Sequence, residues 1–298
     1  MTALVPDRLD DALAALAGDP PPTVLAGGTD LMVEVNYGLR RPDDVLSLRR
    51  VAELRGWRRD GDAVVLGAAT TYATLLAPEP AALLPALAQA ARTVGSPQIR
   101  NTGTVGGNLA TASPAGDTLP VLVAHGASVE LASVDGRREV TVADFLTGPK
   151  RTALAPGELI VAVRVPLLTG PAEFLKIGVR NAMVIAVANC ALVVDRPTRS
   201  VRCALGSVGP VPMGDPAAEA WVADRVDWDG GSAVEAAVAA EFGARMAAAS
   251  RPISDHRATA DYRRHAVGVL ARRALARCFP GGATTAAADG GGAAPEAA

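Results

Sequence analysis

The chain has 298 residues and a mass of 30.3 kDa, is 49% hydrophobic and only 20% charged, and so is too apolar for a disordered protein and long enough for about two domains of roughly 150 residues. Its formal net charge of -2 and pI near 6.0 exclude a protein that clamps a phosphate backbone with an excess of Lys and Arg, so no nucleic-acid partner is expected.

Between residues 7 and 17, Leu9, Leu13 and Leu16 recur at helical spacing, and Gly18 with Pro20-Pro21-Pro22 ends the run. A short strand over 23–25 leads into Val24-Leu25-Ala26-Gly27-Gly28-Thr29-Asp30-Leu31, where Thr29 or Asp30 is placed to cap a helix over 31–35. Strands follow over 45–48 and 63–68, with Asp60-Gly61-Asp62 as a turn, and Thr70 or Thr71 caps a short helix through Leu76. The apolar set Leu83, Leu84, Leu87, Ala90, Ala91 and Val94 predicts one helix over 81–94 with Pro85 in its first turn.

Next comes Ser96-Pro97-Gln98-Ile99-Arg100-Asn101, and then Thr104-Val105-Gly106-Gly107-Asn108, continuing through Ala112-Ser113-Pro114-Ala115-Gly116-Asp117. Paired glycines with small hydroxyl and amide side chains suit backbone wrapped round a polar ligand, its N–H groups forming a nest for phosphate. Two such Gly-Gly loops suggest two sides of one ligand, although either alone also reads as an ordinary tight turn. Neither is a G-x-G-x-x-G dinucleotide fingerprint, and no G-x-x-x-x-G-K-[ST] occurs, which disfavours a nicotinamide Rossmann domain and a P-loop ATPase.

A helix over 118–124 and a hairpin of 129–133 with 137–142 about Asp135-Gly136 precede a strand over 158–165. The segment 166–171, with Gly170 between prolines, is the expected domain boundary. Beyond it Phe174, Lys176, Gly178 and Arg180 alternate with Leu175, Ile177 and Val179, a strand whose charged face is expected to be solvated. Buried 183–194 and alternating Val201, Cys203 and Leu205 continue an antiparallel sheet, followed by helices over 217–223, 232–248 and 259–278. In the last helix Tyr262, Ala266, Val269, Leu270 and Ala274 form the apolar stripe, while Arg263, Arg264, Arg272, Arg273 and Arg277 are expected on a solvated or partner-facing side. The Gly/Ala-rich tail, 281–298, is expected to be disordered.

The chemistry-bearing residues are few. Cys190, Cys203 and Cys278 match no zinc or iron–sulfur spacing and are expected as free core thiols in a reducing compartment. There is no G-x-S-x-G elbow; among His125, His256 and His265 the only acid neighbour is Asp255 beside His256, an ordinary surface pair; no metal-ligand cluster appears. The N-terminus has acids and a proline in place of a basic and then apolar leader, and the longest apolar run, 182–194, is too short to span a bilayer. A cytoplasmic protein without membrane insertion is expected, holding a phosphorylated ligand that supplies the chemistry itself, with no catalytic or metal-binding residue of its own.

Ala-Gly-Gly-Thr-Asp-Leu at positions 26–31, Ile-Arg-Asn-Thr-Gly-Thr-Val-Gly-Gly-Asn at 99–108 and Ala-Ser-Pro-Ala-Gly-Asp at 112–117 together resemble the FAD-binding medium subunit of molybdenum hydroxylases, the xanthine dehydrogenase and carbon monoxide dehydrogenase type enzymes. Gly157-Glu158-Leu159-Ile160, Lys176, Arg180-Asn181-Ala182-Met183, Asp255-x-Arg257 and Tyr262-Arg263 extend the resemblance over about residues 1–278. It implies an α+β fold: a two-part FAD-binding PCMH-type domain, vanillyl-alcohol-oxidase-like, over 1–169, then a CO dehydrogenase flavoprotein C-terminal-like domain over 170–280 with an antiparallel sheet packed on helices.

By the same resemblance, Val24, Leu25, Ala26, Gly27, Gly28, Thr29, Asp30 and Leu31, with Thr104, Val105, Gly106, Gly107 and Asn108, hold the FAD pyrophosphate and ribityl chain. Asp117 matches the family's carboxylate, Ile160 an apolar residue near the flavin, and Lys176 a basic residue reaching it; Val94 falls where some relatives have an aromatic against the adenine. The resemblance further implies an iron–sulfur small subunit with [2Fe–2S] clusters, a large subunit with a molybdenum-pterin cofactor, and NAD+ or another final electron acceptor. Xanthine is the first substrate expected, with carbon monoxide, aldehydes and N-heterocycles as alternatives. A stand-alone flavin oxidase would need its own base, and an FAD-free scaffold would have no use for both glycine loops.

Overall fold

The computed structural model describes residues 2–281, so the expected disordered tail lies, apart from Gly281, outside the described residues. Three short parallel strands, β1 (Thr2–Leu4), β2 (Thr23–Leu25) and β3 (Asp44–Ser47), pair in the order β1-β3-β2, with α1 (Leu9–Leu16) and α2 (Leu31–Asn36) as crossovers. A five-stranded antiparallel sheet, ordered β4-β5-β10-β6-β7, combines β4 (Trp57–Asp60), β5 (Ala63–Gly67), β6 (Ser128–Ser133), β7 (Gly136–Thr141) and β10 (Leu159–Pro166). Between β5 and β6 run α3 (Tyr72–Leu75), α4 (Pro78–Leu83), α5 (Pro85–Thr93), α6 (Pro97–Thr102), α7 (Val105–Thr111) and α8 (Thr118–His125). After β7 come α9 (Val142–Phe145) and the small ladder of β8 (Leu146–Gly148) and β9 (Arg151–Thr152).

The strand alternation explains the layers. Val64, Leu66, Val129, Leu131, Val163 and Val165 pack one sheet face on Leu87, Leu109 and Leu122 from α5, α7 and α8. Leu159 and Val161 turn the other way, onto Leu9, Leu13 and Leu16 of α1 and Leu46 of β3. A register shift between Ile160 and Ala162 puts Ile160 on the same side as Val163.

The rest of the chain builds β11 (Ala172–Ile177), β12 (Ala188–Asp195) and β13 (Ser200–Gly206), an antiparallel sheet in that order, followed by α10 (Pro216–Ala223), α11 (Ala236–Ala249) and α12 (Ala260–Cys278). Both faces of this sheet are buried. Phe174, Ala191, Val193 and Ala204 join the core of the preceding layers, and Cys190, Leu192, Val194, Val201, Cys203 and Leu205 meet the helices.

Several expectations change. The helix over 81–94 is two helices, because Pro85 excludes the helical conformation at Leu84, which sits at φ -130°, ψ 65°. The segment 57–60 is a strand that its Arg-Arg-Asp composition conceals; it is an exposed sheet edge, where charge is common. The start of 183–194 is loop, with Met183 and Ile185 exposed and burial beginning at Ala186: Met183 has φ +49°, Arg180 Nε donates to the Ala182 carbonyl at 3.0 Å, and the strand starts only at Ala188. The second helix from the end starts at Ala236 rather than 232.

In α12, Ala266, Leu270 and Ala274 are buried and Arg264, Arg272, Arg273 and Arg277 exposed as expected, but Tyr262 is exposed and Arg263 is buried. Arg263 donates to the carbonyls of Val187 at 2.7 Å and Ser207 at 2.9 Å and to Asp255 Oδ1 at 2.8 Å, so it pins the sheet to the helix start. Backbone amides of Arg257 and Ala258 and the Arg263 guanidinium hold the Asp255 carboxyl far below the usual carboxylate range. Asp255 thus has arginine partners, Arg257 and Arg263, and His256 stands exposed beside them. Cys190, Cys203 and Cys278 are free and buried.

Candidate cofactor site

β2 ends at Leu25, and the chain turns at Gly28, whose φ of +72° favours glycine. A Cβ on Gly27 would lie 1.9 Å from the Thr102 carbonyl oxygen, so this loop packs backbone against backbone on the end of α6. The amides of Gly27, Gly28, Thr29 and Asp30 donate to no group among the described residues. They border a cleft of about 420 Å³, a size that suits a small-molecule or cofactor site. Clustered free amides are ready donors for an anion. Neither Thr29 nor Asp30 caps α2 with its side chain; Asp30 Oδ2 instead accepts from Thr111 Oγ1 at 3.3 Å, tying the loop to α7.

The second Gly-Gly pair is the opposite wall, and it is not a loop. Thr104 is the N-cap of α7, its Oγ1 accepting the Gly107 amide at 3.0 Å. The Val105 and Gly106 amides donate to the carbonyls of Thr70 at 3.0 Å and Ala68 at 2.9 Å. The amide nest expected here is therefore not formed, because its donors are already used. These glycines serve by lacking a side chain: a Cβ on Gly106 would stand 2.7 Å from Ala68 Cβ, whereas on Gly107 it would meet only Thr104 Oγ1, at 2.9 Å. Gly107 leaves that part of the wall flat.

Val24, Leu25, Ala26, Gly27, Gly28, Thr29, Asp30 and Leu31 line the cleft from one side, Thr104, Gly106, Gly107 and Asn108 from the other, and Ile160 from β10. Val105 is fully buried in the core beneath. Val94 is partly buried against that core and does not border the cleft.

Asp117 and Lys176 also lie off the cleft, where they meet each other. Lys176 Nζ is 2.5 Å from Asp117 Oδ2, with side chains 8% and 6% exposed, so the charged face is not solvated at Lys176, whereas Arg180, beyond the end of β11, is exposed as expected. Lys176 also donates to the Thr93 carbonyl at 3.3 Å; Asp117 accepts from Thr93 Oγ1 and from Asn189 Nδ2, each at 3.1 Å. Burial pushes the Asp117 carboxyl up, and Lys176, Asn189 and Thr93 pull it back. The next residue, Thr118, donates to Asn108 Oδ1 at 2.6 Å, which joins this buried pair to the cleft wall.

The sequence reading missed Tyr72, Glu34, Arg40, Lys150 and Leu154, which border the cleft, as does Glu158 of the 157–160 motif. The missed residues are single residues from separate segments with no shared spacing, and only the fold assembles them. Lys150, at φ +55°, places Nζ 3.5 Å from Glu34 Oε1 across the rim. The donor set fits FAD: free amides suit the diphosphate, and Leu25, Leu154 and Ile160 offer an apolar surface for a ring. Among the described residues no group of side chains could hold a metal ion, and no helix is long and apolar enough to cross a membrane.

The comparisons agree with this chemistry. Residues 1–168 match the FAD binding domain in molybdopterin dehydrogenase, and residues 173–278 match the CO dehydrogenase flavoprotein C-terminal domain. The chain belongs to this family: it is an FAD-binding medium subunit of the molybdenum hydroxylases, an oxidoreductase subunit whose cofactor is FAD. It is 32% identical to the glyceraldehyde dehydrogenase medium chain of Sulfolobus acidocaldarius, over 90% of this chain and 95% of that one. It is 34% identical to the xanthine dehydrogenase FAD-binding subunit of Escherichia coli O157:H7, over 69% of this chain and 73% of that one. Carbon monoxide dehydrogenase from Hydrogenophaga pseudoflava, in a form lacking the Mo-pyranopterin moiety of its molybdenum cofactor, superposes with a TM-score of 0.83 at 31% identity, covering 94% and 96% of the two chains.

Proposed function

We propose that this subunit relays electrons through FAD from the [2Fe–2S] clusters of an iron–sulfur small subunit, reduced in turn by a molybdenum-pterin large subunit, to NAD+ or another acceptor. The observation that carries the reading is the row of free amides at Gly27, Gly28, Thr29 and Asp30, facing the flat Thr104–Gly107 wall. When bound, FAD exchanges electrons singly on one side and in pairs on the other. The chain's part is to bind and orient: the amides of 27–30 hold the diphosphate, Gly107 admits it closely, Asn108 is fixed by Thr118, and Ile160 packs against the ring system. Lys176 and Asp117 stand one layer behind as a buried ion pair whose opposite charges largely cancel, and they brace the Asn108 wall through Thr118. In this division residues 1–169 carry the cofactor, 170–280 form the second domain, and the assembly is cytoplasmic.

The finer assignment is a xanthine dehydrogenase-type complex, supported by the likeness to the Escherichia coli subunit. A second reading, an aldehyde or carbon monoxide dehydrogenase, is favoured by the longer coverage of those relatives. The test loads the chain with FAD and mixes it, without oxygen, with xanthine, an aldehyde or carbon monoxide, with and without the two partner subunits. Flavin bleaching only when both partners are present, followed by NADH formation on adding NAD+, is expected. Bleaching by the isolated chain would make it a stand-alone oxidase and refute the relay.

A further inference from the structure

Tyr72 is the first residue of α3, set there by Thr71, whose Oγ1 caps the helix by accepting the Thr74 amide at 3.2 Å. Its ring is held tightly: a Cβ on Gly103 would lie 2.8 Å from Tyr72 Cε2, and the residue is only 4% exposed. Yet the ring borders the cleft, and its hydroxyl has no hydrogen-bond partner among the described residues. That oxygen is not among the polar atoms enclosed without a partner, so it is open to the cleft and within reach of a ligand there. Phe would pack as well here, so the oxygen calls for a partner that the chain does not supply.

We propose that Tyr72 is a cofactor-binding residue whose hydroxyl donates a hydrogen bond to a neutral oxygen of the flavin half of FAD, on the ribityl chain or the ring carbonyls. The inference rests on the FAD reading of the cleft. The neutral acceptor follows from the surroundings. The Asp117 carboxylate is answered by Lys176, but Asp30 lines the same cleft and its carboxylate acts on the Tyr72 hydroxyl, so a phosphate drawn against it would face that negative charge. The free amides of residues 27–30 offer the diphosphate a better place. Burial and the two carboxylates also push the phenol above its ordinary range, so it keeps its proton and acts as donor.

The test is Tyr72→Phe, which removes one oxygen, measured by titrating the apo chain with FAD and separately with ADP, the diphosphate half without flavin. The expected result is an FAD Kd raised about tenfold, the effect of one lost hydrogen bond, with the ADP Kd unchanged. The melting temperature of the apo variant should stay level or rise, because the hydroxyl makes no bond in the empty chain. An unchanged FAD Kd overturns the assignment, and so does an equal loss for FAD and ADP, which would move the contact to the adenylate half. A wild-type chain that binds no FAD refutes the cofactor reading itself; wild-type binding with an indifferent variant refutes only the role of Tyr72.

Discussion

Replacing Lys176 by Met keeps most of the side-chain volume and removes the charge that faces Asp117 at 2.5 Å. The carboxylate, 6% exposed, would then keep only Thr93 Oγ1 and Asn189 Nδ2. Breaking a buried pair from one side costs about 3–5 kcal/mol, and the two remaining donors place this case near 3 kcal/mol. The pH dependence gives a second signature. Burial already raises the Asp117 carboxyl, and loss of the lysine raises it further. A carboxyl raised above its unfolded value adds stability that is full below that value, about 3.9, and fades as pH climbs through the folded pKa. Lys176→Met should therefore recover part of its deficit between pH 7 and pH 5, whereas Asp117→Asn with Lys176→Met should restore most of it at both. Urea denaturation of the four chains of the cycle at the two pH values measures this; groups unchanged between variants cancel in the differences. A single-variant deficit under 1 kcal/mol at pH 7, with the wild-type pH slope, would refute the buried-pair account.

The His125 ring is buried and its Nδ1 pairs with the Pro166 carbonyl oxygen at 3.1 Å; burial lowers its pKa from 6.5 to about 4. Its neutral form is thus favoured by folding, the stability is present above pH 6.5 and lost as pH falls toward 4, about 3 kcal/mol in all, and His125→Gln should flatten that part of the pH–stability curve. Gly107→Val should keep the fold within about 1–2 kcal/mol, as only Thr104 Oγ1 stands near the added Cβ, but abolish flavin absorbance at 450 nm; a yellow, folded variant would remove Gly107 from the site. Gly27→Ala, by contrast, drives a Cβ to 1.9 Å from backbone and should lower the unfolding midpoint even without FAD. Arg263→Met strands the buried carbonyls of Val187 and Ser207, while Asp255 keeps Arg257 and two backbone amides, for a loss of about 2–4 kcal/mol, and Arg263→Lys should rescue little because one ammonium cannot reproduce the fork; near-wild-type stability of either would count against the clamp.

What the sequence showed tracks how local each cause is. Leu9, Leu13 and Leu16, the Asp135-Gly136 turn and the strand near Ile160 declare themselves by spacing, and each forms where expected. Leu84 breaks its helix for a reason written next to it, Pro85, yet the apolar period across the break conceals it. The second glycine pair misleads differently: glycine is a poor helix former, so the pair suggests a loop, and only the Thr104 cap and the contact with Ala68 make a helix of it. Lys176 and Arg263 could not be placed from spacing at all. A charge on a strand or helix face is ordinarily solvated, and what buries these two is an acid, Asp117, 59 residues away, and a carbonyl, Val187, 76 residues away.

The same distances explain why the cofactor wall and the second half of the chain behave as one. The β11-β12-β13 sheet has no solvent face to give up: Phe174, Ala191, Val193 and Ala204 complete the core behind α5 and α8, while the alternate residues carry α10, α11 and α12. Lys176 lies on the first of those faces, and its bond to Asp117 reaches the cleft through Thr118 and Asn108. A glycine-lined cleft offers few side chains to fix its own shape. Here the cleft is backed by a buried charge pair and by a sheet packed on both faces, so a lining drawn from residues 24–160 takes part of its support from residues beyond 170.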